Sequence, residues 1–168
     1  MKQPVRARSF PPVVGPGARV LVLGSMPGRA SLDTERYYAH PRNLFWPIMG
    51  TLVDAGPGYP YAERLARLRR AGIALWDVAA ECTRAGSLDA EIERDSVVAN
   101  DIGGLLARHP GIVRILFNGA AAETLYRRHV APLPAGAPAC MRLPSTSPAH
   151  AAMPLELKLA AWREGLAP

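Results

Sequence analysis

The sequence predicts an α/β protein, a three-layer α/β/α sandwich with a central four-stranded parallel sheet. Three observations lead there. Short apolar runs rich in β-branched residues recur four times along the chain. Segments with helical spacing separate them. The 168 residues suit one domain with one core, and no internal repeat divides them. Strands alternating with helices are satisfied by a parallel sheet covered on both faces.

The elements follow in chain order. Residues 1–16 read as a loose, Pro-rich lead-in; they are basic but lack the apolar stretch of a secretory signal. Arg19 to Leu23 is an apolar run ended by Gly24, the first strand. Asn43 to Val53 reads as a helix, with Pro47 acceptable only in its first turn. Gly56 to Pro60 is a loop, and Tyr61 to Arg70 is an amphipathic helix closed by Gly72. Ile73 to Val78 is the second strand. Leu88 to Arg108 reads as a long, broken helix weakened by Gly103-Gly104. Ile112 to Phe117 is the third strand. Asn118 is placed to cap a helix from Ala120 to His129. Ala139 to Leu143 is the fourth strand, and Leu155 to Trp162 the last helix, with Lys158 on its outer face.

Composition narrows the function. No apolar run is long enough to span a bilayer. The net charge of +6 favours a polyanionic partner, although an Arg-rich surface produced by coding bias gives the same number. Only Lys2 and Lys158 among the 20 basic residues are lysine. Arginine is suited to bidentate phosphate contacts. Cys82 and Cys140 are too few for a structural zinc or iron–sulfur site and read as reduced, buried thiols of a cytoplasmic protein. No metal and no cofactor is expected.

In parallel sheets ligands bind beyond the carboxyl ends of the strands. The unusual segments of this chain fall there: Gly24-Ser25-Met26-Pro27-Gly28, Trp76-Asp77, Asn118-Gly119 and Pro144-Ser145-Thr146-Ser147-Pro148. The Gly24–Gly28 turn is neither a P-loop nor a dinucleotide fingerprint, since the lysine and the glycine spacing are wrong. Between the first strand and the first long helix lies Y-Y-A-H-P-R-N-L-F-W, residues 37–46, which is aromatic, polar and basic within ten residues. Aromatic rings there suit stacking on a base lifted from a duplex, or simply a core edge. Asn43 suits either catalysis or a helix cap.

The segment G-S-M-P-G-x-x-S-L-x-x-x-x-Y-Y-A-H-P-R-N-x-F-W resembles the first motif block of the uracil-DNA glycosylase superfamily, most closely its hypoxanthine-DNA glycosylase branch. L-W-D-V…C-x-R-x-G-S-L-D (75–89), F-N-G-A-A-A (117–122) and L-P-S-T-S-P-A-H-A (143–151) resemble later blocks of that branch. The resemblance spans Arg19 to about Ala152 and implies one glycosylase domain over residues 1–168, a DNA partner carrying a deaminated base, and a monomer. It also shows departures. Met26 stands where better-known branches have the Asn or Asp that positions water, and the branch resembled here uses the Asn of H-P-x-N, which is Asn43. Leu143 stands where the uracil-specific branch has a histidine. Trp76 or Asp77 replaces the asparagine that reads uracil. These departures bear on which base is removed more than on glycosylase chemistry.

The resemblance implies a mechanism. The sugar becomes oxocarbenium-like as the base leaves, so the protein must place a water and hold the departing base. Asn43 is the candidate for the water. The base site comprises Gly24, Ser25, Met26, Pro27 and Gly28, whose backbone N–H groups face the base oxygen, with Tyr38 stacking and Trp76, Asp77 and Asn118 in contact. DNA contacts fall to His40, Arg42, Ser145, Thr146, Ser147, Pro148 and His150, and the 144–150 loop can fill the gap left in the duplex. His40 also has a purely structural reading beside Pro41. Independently of the resemblance, Lys2 in the loose terminus and Lys158 on the outer face of the last helix leave no lysine placed to form a Schiff base, so the enzyme is expected to be monofunctional. The rival readings are a non-catalytic module that binds damaged bases, and a serine hydrolase using Ser25, although G-S-M-P-G does not match G-x-S-x-G.

Overall fold

The computed structural model describes residues 3–168. Four parallel strands form the central sheet: β2 (Val20–Gly24), β3 (Ile73–Asp77), β6 (Arg114–Asn118) and β7 (Ala139–Leu143), in the order β3-β2-β6-β7. Each strand is short, and β2 and β3 are buried along their whole length, as a sheet covered on both sides requires, whereas the edge strand β7 is buried only at Leu143.

The period of two along the strands divides the core. Leu21, Leu23, Ala74, Trp76, Ile115 and Phe117 face one layer, with Ile102 and Leu105 of α4 (Ile102–Arg108) and Ala122 and Leu125 of α5 (Ala120–His129). Val20, Val22, Ile73, Leu75, Leu116 and Leu143 face the other. There they meet α2 (Phe45–Val53), α3 (Tyr61–Arg70) and α6 (Leu155–Leu166). The three-layer architecture is the one the alternation of strands and helices predicts. Pro47 lies in the first turn of α2, where its missing N–H costs nothing.

Several elements differ from the sequence reading. The lead-in is not loose over its described part; Met1 and Lys2 lie outside the described residues. β1 (Val5–Arg8) pairs antiparallel with β4 (Ala79–Arg84), and Arg6 and Arg8 both bind the Glu81 carboxylate. Val13 exchanges both backbone hydrogen bonds with Leu75, at 2.9 and 2.8 Å. Alternation in Val5–Arg8 is masked by its basic residues, because the strand lies exposed at a sheet edge. A short helix α1 (Arg29–Thr34) follows the Gly24–Gly28 turn and was not foreseen.

The second strand ends at Asp77, one residue early, and the chain turns into β4 rather than into a helix. The long helix expected over Leu88–Arg108 is absent. Two 3-10 turns (Asp89–Glu91 and Arg94–Ser96) and β5 (Val98–Ala99) precede α4, so only the last third is helical. The polar, turn-forming Asp and Ser residues and the Val97-Val98 pair account for this. Asp101 caps α4 by accepting the Gly104 N–H at 2.9 Å, which sustains a helix despite its paired glycines.

Asn118 does not cap α5. It ends β6, and Gly119 caps the helix at φ 95°, a left-handed conformation suited to glycine. Cys82 is buried, but Cys140 is exposed on β7, an outer strand, which corrects the expectation for that thiol. α6 runs four residues past Trp162, to Leu166. Lys158 lies inside rather than on the outer face, 1% exposed, and donates its ammonium to the His150 carbonyl at 2.7 Å. Among the described residues no helix is long and apolar enough to cross a membrane.

Trp162 is fully buried against Phe45 and donates its indole N–H to the Pro144 carbonyl at 3.0 Å. Trp162→Ala is expected to cost about 3–5 kcal/mol of unfolding free energy, measured by urea denaturation.

Candidate active site

The strand order places a switch point between β2 and β6. The chain leaves β2 toward β3 on one side and returns to β6 on the other, so the loops after these two strands part and leave a crevice. Gly24 ends β2 beside Asp77 of β3, and Asn118 ends β6 beside Leu143 of β7. All four of the sequence-predicted segments therefore start at one edge of the sheet.

The Gly24–Gly28 turn is held from below. Val78 donates to the Gly24 carbonyl at 2.8 Å and Ala79 to the Ser25 carbonyl at 3.1 Å. No acceptor among the described residues takes the N–H of Ser25, Met26 or Gly28. Pro27 has no N–H, so the donor set read from the sequence shrinks by one. Met26 is buried in the core, and its side chain packs rather than faces the crevice. The Ser25 hydroxyl donates to Asp89. Because a carboxylate and not an imidazole takes that bond, Ser25 lacks the partner a serine nucleophile needs.

Arg84 is the residue that the sequence reading missed. It is 3% exposed and donates to the Pro27 carbonyl. Ser87 accepts the Arg29 N–H at 3.0 Å. The R-x-G-S-L-D run thus folds over the turn and clamps it through Arg84, Ser87 and Asp89. Its signal in the sequence was the C-x-R-x-G-S-L-D block itself, in which an arginine and an aspartate flank a Gly-Ser pair.

Asp77 is 4% exposed. A Cβ on Gly24 would lie 2.5 Å from its Oδ1 and 3.4 Å from the Tyr38 hydroxyl, so only glycine admits both groups at this point. Burial pushes the Asp77 carboxyl up to about 7; the Asp89 charge acts in the same direction and Arg84 opposes them. The Tyr38 hydroxyl is also raised, chiefly by burial and then by Asp77. Four buried side-chain polar atoms among the described residues have no partner. Three of them gather here: Tyr38 Oη, Asp77 Oδ2 and Arg84 Nη1. Trp76 turns away, its indole donating to the Phe10 carbonyl at 2.9 Å, which leaves Asp77 as the member of that pair at the crevice.

The Y-Y-A-H-P-R-N-L-F-W segment forms the aromatic wall. Tyr38 adopts φ 54°, uncommon for a non-glycine residue. Its ring stacks on Phe45 with centroids 4.1 Å apart, so one face is already covered. The Asn43 carboxamide oxygen accepts the Phe45 N–H at 2.9 Å, a local turn bond that fixes the side chain just before α2, whose cap position is Leu44. His40 Nδ1 accepts the Arg42 N–H at 3.1 Å, while the rest of both side chains is exposed.

The Pro144–Pro148 segment is tied to the end of β6 and to the aromatic segment. Asn118 makes paired bonds to Thr146, donating to Oγ1 and accepting from the backbone N–H, both at 2.9 Å. Leu44 donates to the Thr146 carbonyl at 3.0 Å. Thr146 is buried and faces inward, whereas Ser145, Ser147 and Pro148 are half-buried and His150 is exposed. Ser145 and Ser147 accept the N–H groups of Ser147 and Ala149, each at 3.2 Å, and hold the loop in tight turns. A Cβ on Gly119 would lie 2.9 Å from Ser145 Cβ.

A three-layer sandwich around a parallel sheet, with polar segments gathered at its switch point, defines an α/β protein of the ligand-binding kind. The family model for the uracil DNA glycosylase superfamily matches residues 11–164. The hypoxanthine DNA glycosylases of Methanosarcina barkeri and Methanosarcina acetivorans are each 34% identical over 116 residues, 68% of this chain and 72% of theirs. The solution NMR structure of a candidate uracil DNA glycosylase from Methanosarcina acetivorans superposes with a TM-score of 0.75 at 30% identity, covering 95% of this chain and 98% of that one. The chain belongs to the uracil DNA glycosylase superfamily. It is a DNA glycosylase.

Thr146→Val removes the acceptor for the Asn118 amide and leaves that group without a partner. A loss of about 1–3 kcal/mol in unfolding free energy is expected by chemical denaturation, with a slower base-release rate as the loop loosens.

Proposed function

We propose that this protein is a monofunctional glycosylase that removes deaminated bases, hypoxanthine foremost and uracil as well, from DNA in base excision repair. Asn43 positions the attacking water. The single observation that supports this most is the way Asn43 is held. One lone pair of its carboxamide oxygen takes the Phe45 N–H, and Phe45 stacks on Tyr38, whose hydroxyl points to Gly24 and Asp77. The carboxamide oxygen keeps a second lone pair for a water. A fixed amide orients that water without being a strong base, which suffices for attack on an oxocarbenium-like sugar.

The other residues divide by exposure. The free N–H groups of Ser25, Met26 and Gly28 offer donors to a base oxygen as negative charge develops on it. Tyr38 supplies the aromatic wall with the face that Phe45 leaves open. Asn118 and Thr146 brace the far side of the crevice. Arg42, His40 and His150 on the rim, with Ser145, Ser147 and Pro148, suit the phosphates on either side of a lifted nucleotide and the gap it leaves. The hypoxanthine preference follows the similarity to the two Methanosarcina relatives and the absence of a histidine at Leu143.

Single-turnover release from duplexes carrying deoxyinosine or deoxyuridine tests the reading. Wild type is expected to release hypoxanthine, and Asn43→Ala to slow release by about 10²-fold or more. Binding without release from either duplex would leave a damaged-base binding module instead.

The monofunctional reading has its own test. Burial lowers the Lys158 pKa, and its ammonium is committed to the His150 carbonyl. Borohydride treatment during turnover is expected to trap no covalent protein–DNA adduct, and the product is expected to be an intact abasic strand.

A further inference from the structure

We propose that the Asp77 carboxyl is the proton donor to the departing purine, delivering its proton to N7 as the N9–C1′ bond breaks. This rests on the reading that the protein excises hypoxanthine.

The geometry carries the argument. Asp77 stands at the end of β3 beside Gly24, and its Oδ1 occupies the place a side chain on Gly24 would fill. Its Oδ2 is buried without a partner, and the nearby Tyr38 hydroxyl is likewise unpaired. An isolated carboxylate in such surroundings is costly; the neutral acid, with a proton to donate, is the cheaper form. The charged and titratable groups around it agree. Asp89, across the turn, repels a negative charge on Asp77; Tyr37 and Tyr38 sit on the wall with hydroxyls raised by burial; Arg84 is the one opposing cation, and its guanidinium is engaged by the Pro27 carbonyl. The balance holds the carboxyl up to about 7, so it is largely protonated below neutral pH and remains able to give the proton up.

The step balances. The N9–C1′ bond breaks with its electron pair passing to the purine. The Asp77 O–H bond breaks and its proton goes to N7, so hypoxanthine leaves as a neutral tautomer and Asp77 becomes a carboxylate. The water oxygen bonds to C1′ and loses a proton to solvent, from which Asp77 is reprotonated. One water is consumed, and one base and one abasic site are produced.

The experiment compares deoxyinosine with N7-methylated deoxyinosine, whose base carries its positive charge already and departs without a donor. Single-turnover rates are measured for wild type and Asp77→Asn from about pH 5.5 to about pH 8.5. For wild type on deoxyinosine the rate is expected to fall as pH rises through the titration of Asp77. Asp77→Asn is expected to be about 100-fold slower near pH 6 and flat with pH. On the N7-methylated substrate the variant is expected to stay within about fivefold of wild type, which also reports that it is folded. Equal losses on the two substrates, or an unchanged pH profile in Asp77→Asn, would overturn the proposal while leaving glycosylase activity in place. Failure of wild type to release hypoxanthine at any pH would overturn the functional reading, and this step with it.

Discussion

The crevice depends on a buried arginine. Arg84 reaches from β4 to the Pro27 carbonyl; burial works against its charge, and the nearby Asp89 carboxylate helps to offset that cost. Burying a guanidinium is expensive, and here its surroundings are two carboxyl groups and a backbone oxygen rather than one ion pair. The result is that the Gly24–Gly28 turn is held by its carbonyls. Its N–H groups are left pointing elsewhere, and a turn with free N–H groups can receive negative charge at no cost in reorganisation. Ser25 and Asp89 close the same clamp from the other end.

The remaining loops hang from this frame. Asn118 and Thr146 form a paired amide-like contact across the crevice, and Thr146 in turn receives Leu44. The segment with Asn43 and the loop with Ser145 and Ser147 are therefore fixed to the ends of β6 and α2 rather than free at the surface. Such mutual bracing is how a loop holds a side chain to within a fraction of an ångström. Gly24 and Gly119 are small for the same reason: each leaves room for a polar side chain, Asp77 and Ser145, to approach the backbone closely.

The sheet was legible because parallel strands buried on both faces leave plain apolar runs, as Val20–Leu23 and Ile115–Phe117 do. The helices α3 and α5 were legible from their spacing. What escaped was the polar, irregular chain from Ala79 to Asn100. Its structure is decided by long-range pairing with Val5–Arg8, which no local pattern records. Arg84 and Asp89 were lost with it, because their roles exist only once that segment has folded over the turn. At the site, the sequence identified the segments that meet but not their orientation. Asn118 looked like a helix cap and instead faces Thr146; Trp76 looked like a base contact and instead donates to Phe10. Direction of a side chain at a strand end is set by the neighbouring strand, which sequence spacing does not contain.

The burial of Lys158 has a practical side. Apart from Lys2, it is the chain's sole lysine, and it is closed off inside the last helix with its ammonium bound to a carbonyl. The outer surface carries its positive charge on arginine. Reagents that acylate amines therefore find nothing to modify on the folded domain between Gln3 and Pro168, and fluorophores or surface attachments introduced through amines would leave the rim of the crevice chemically untouched. Reaction of Lys158 with such a reagent would instead report opening of the α6 layer, making that residue a built-in probe of local unfolding.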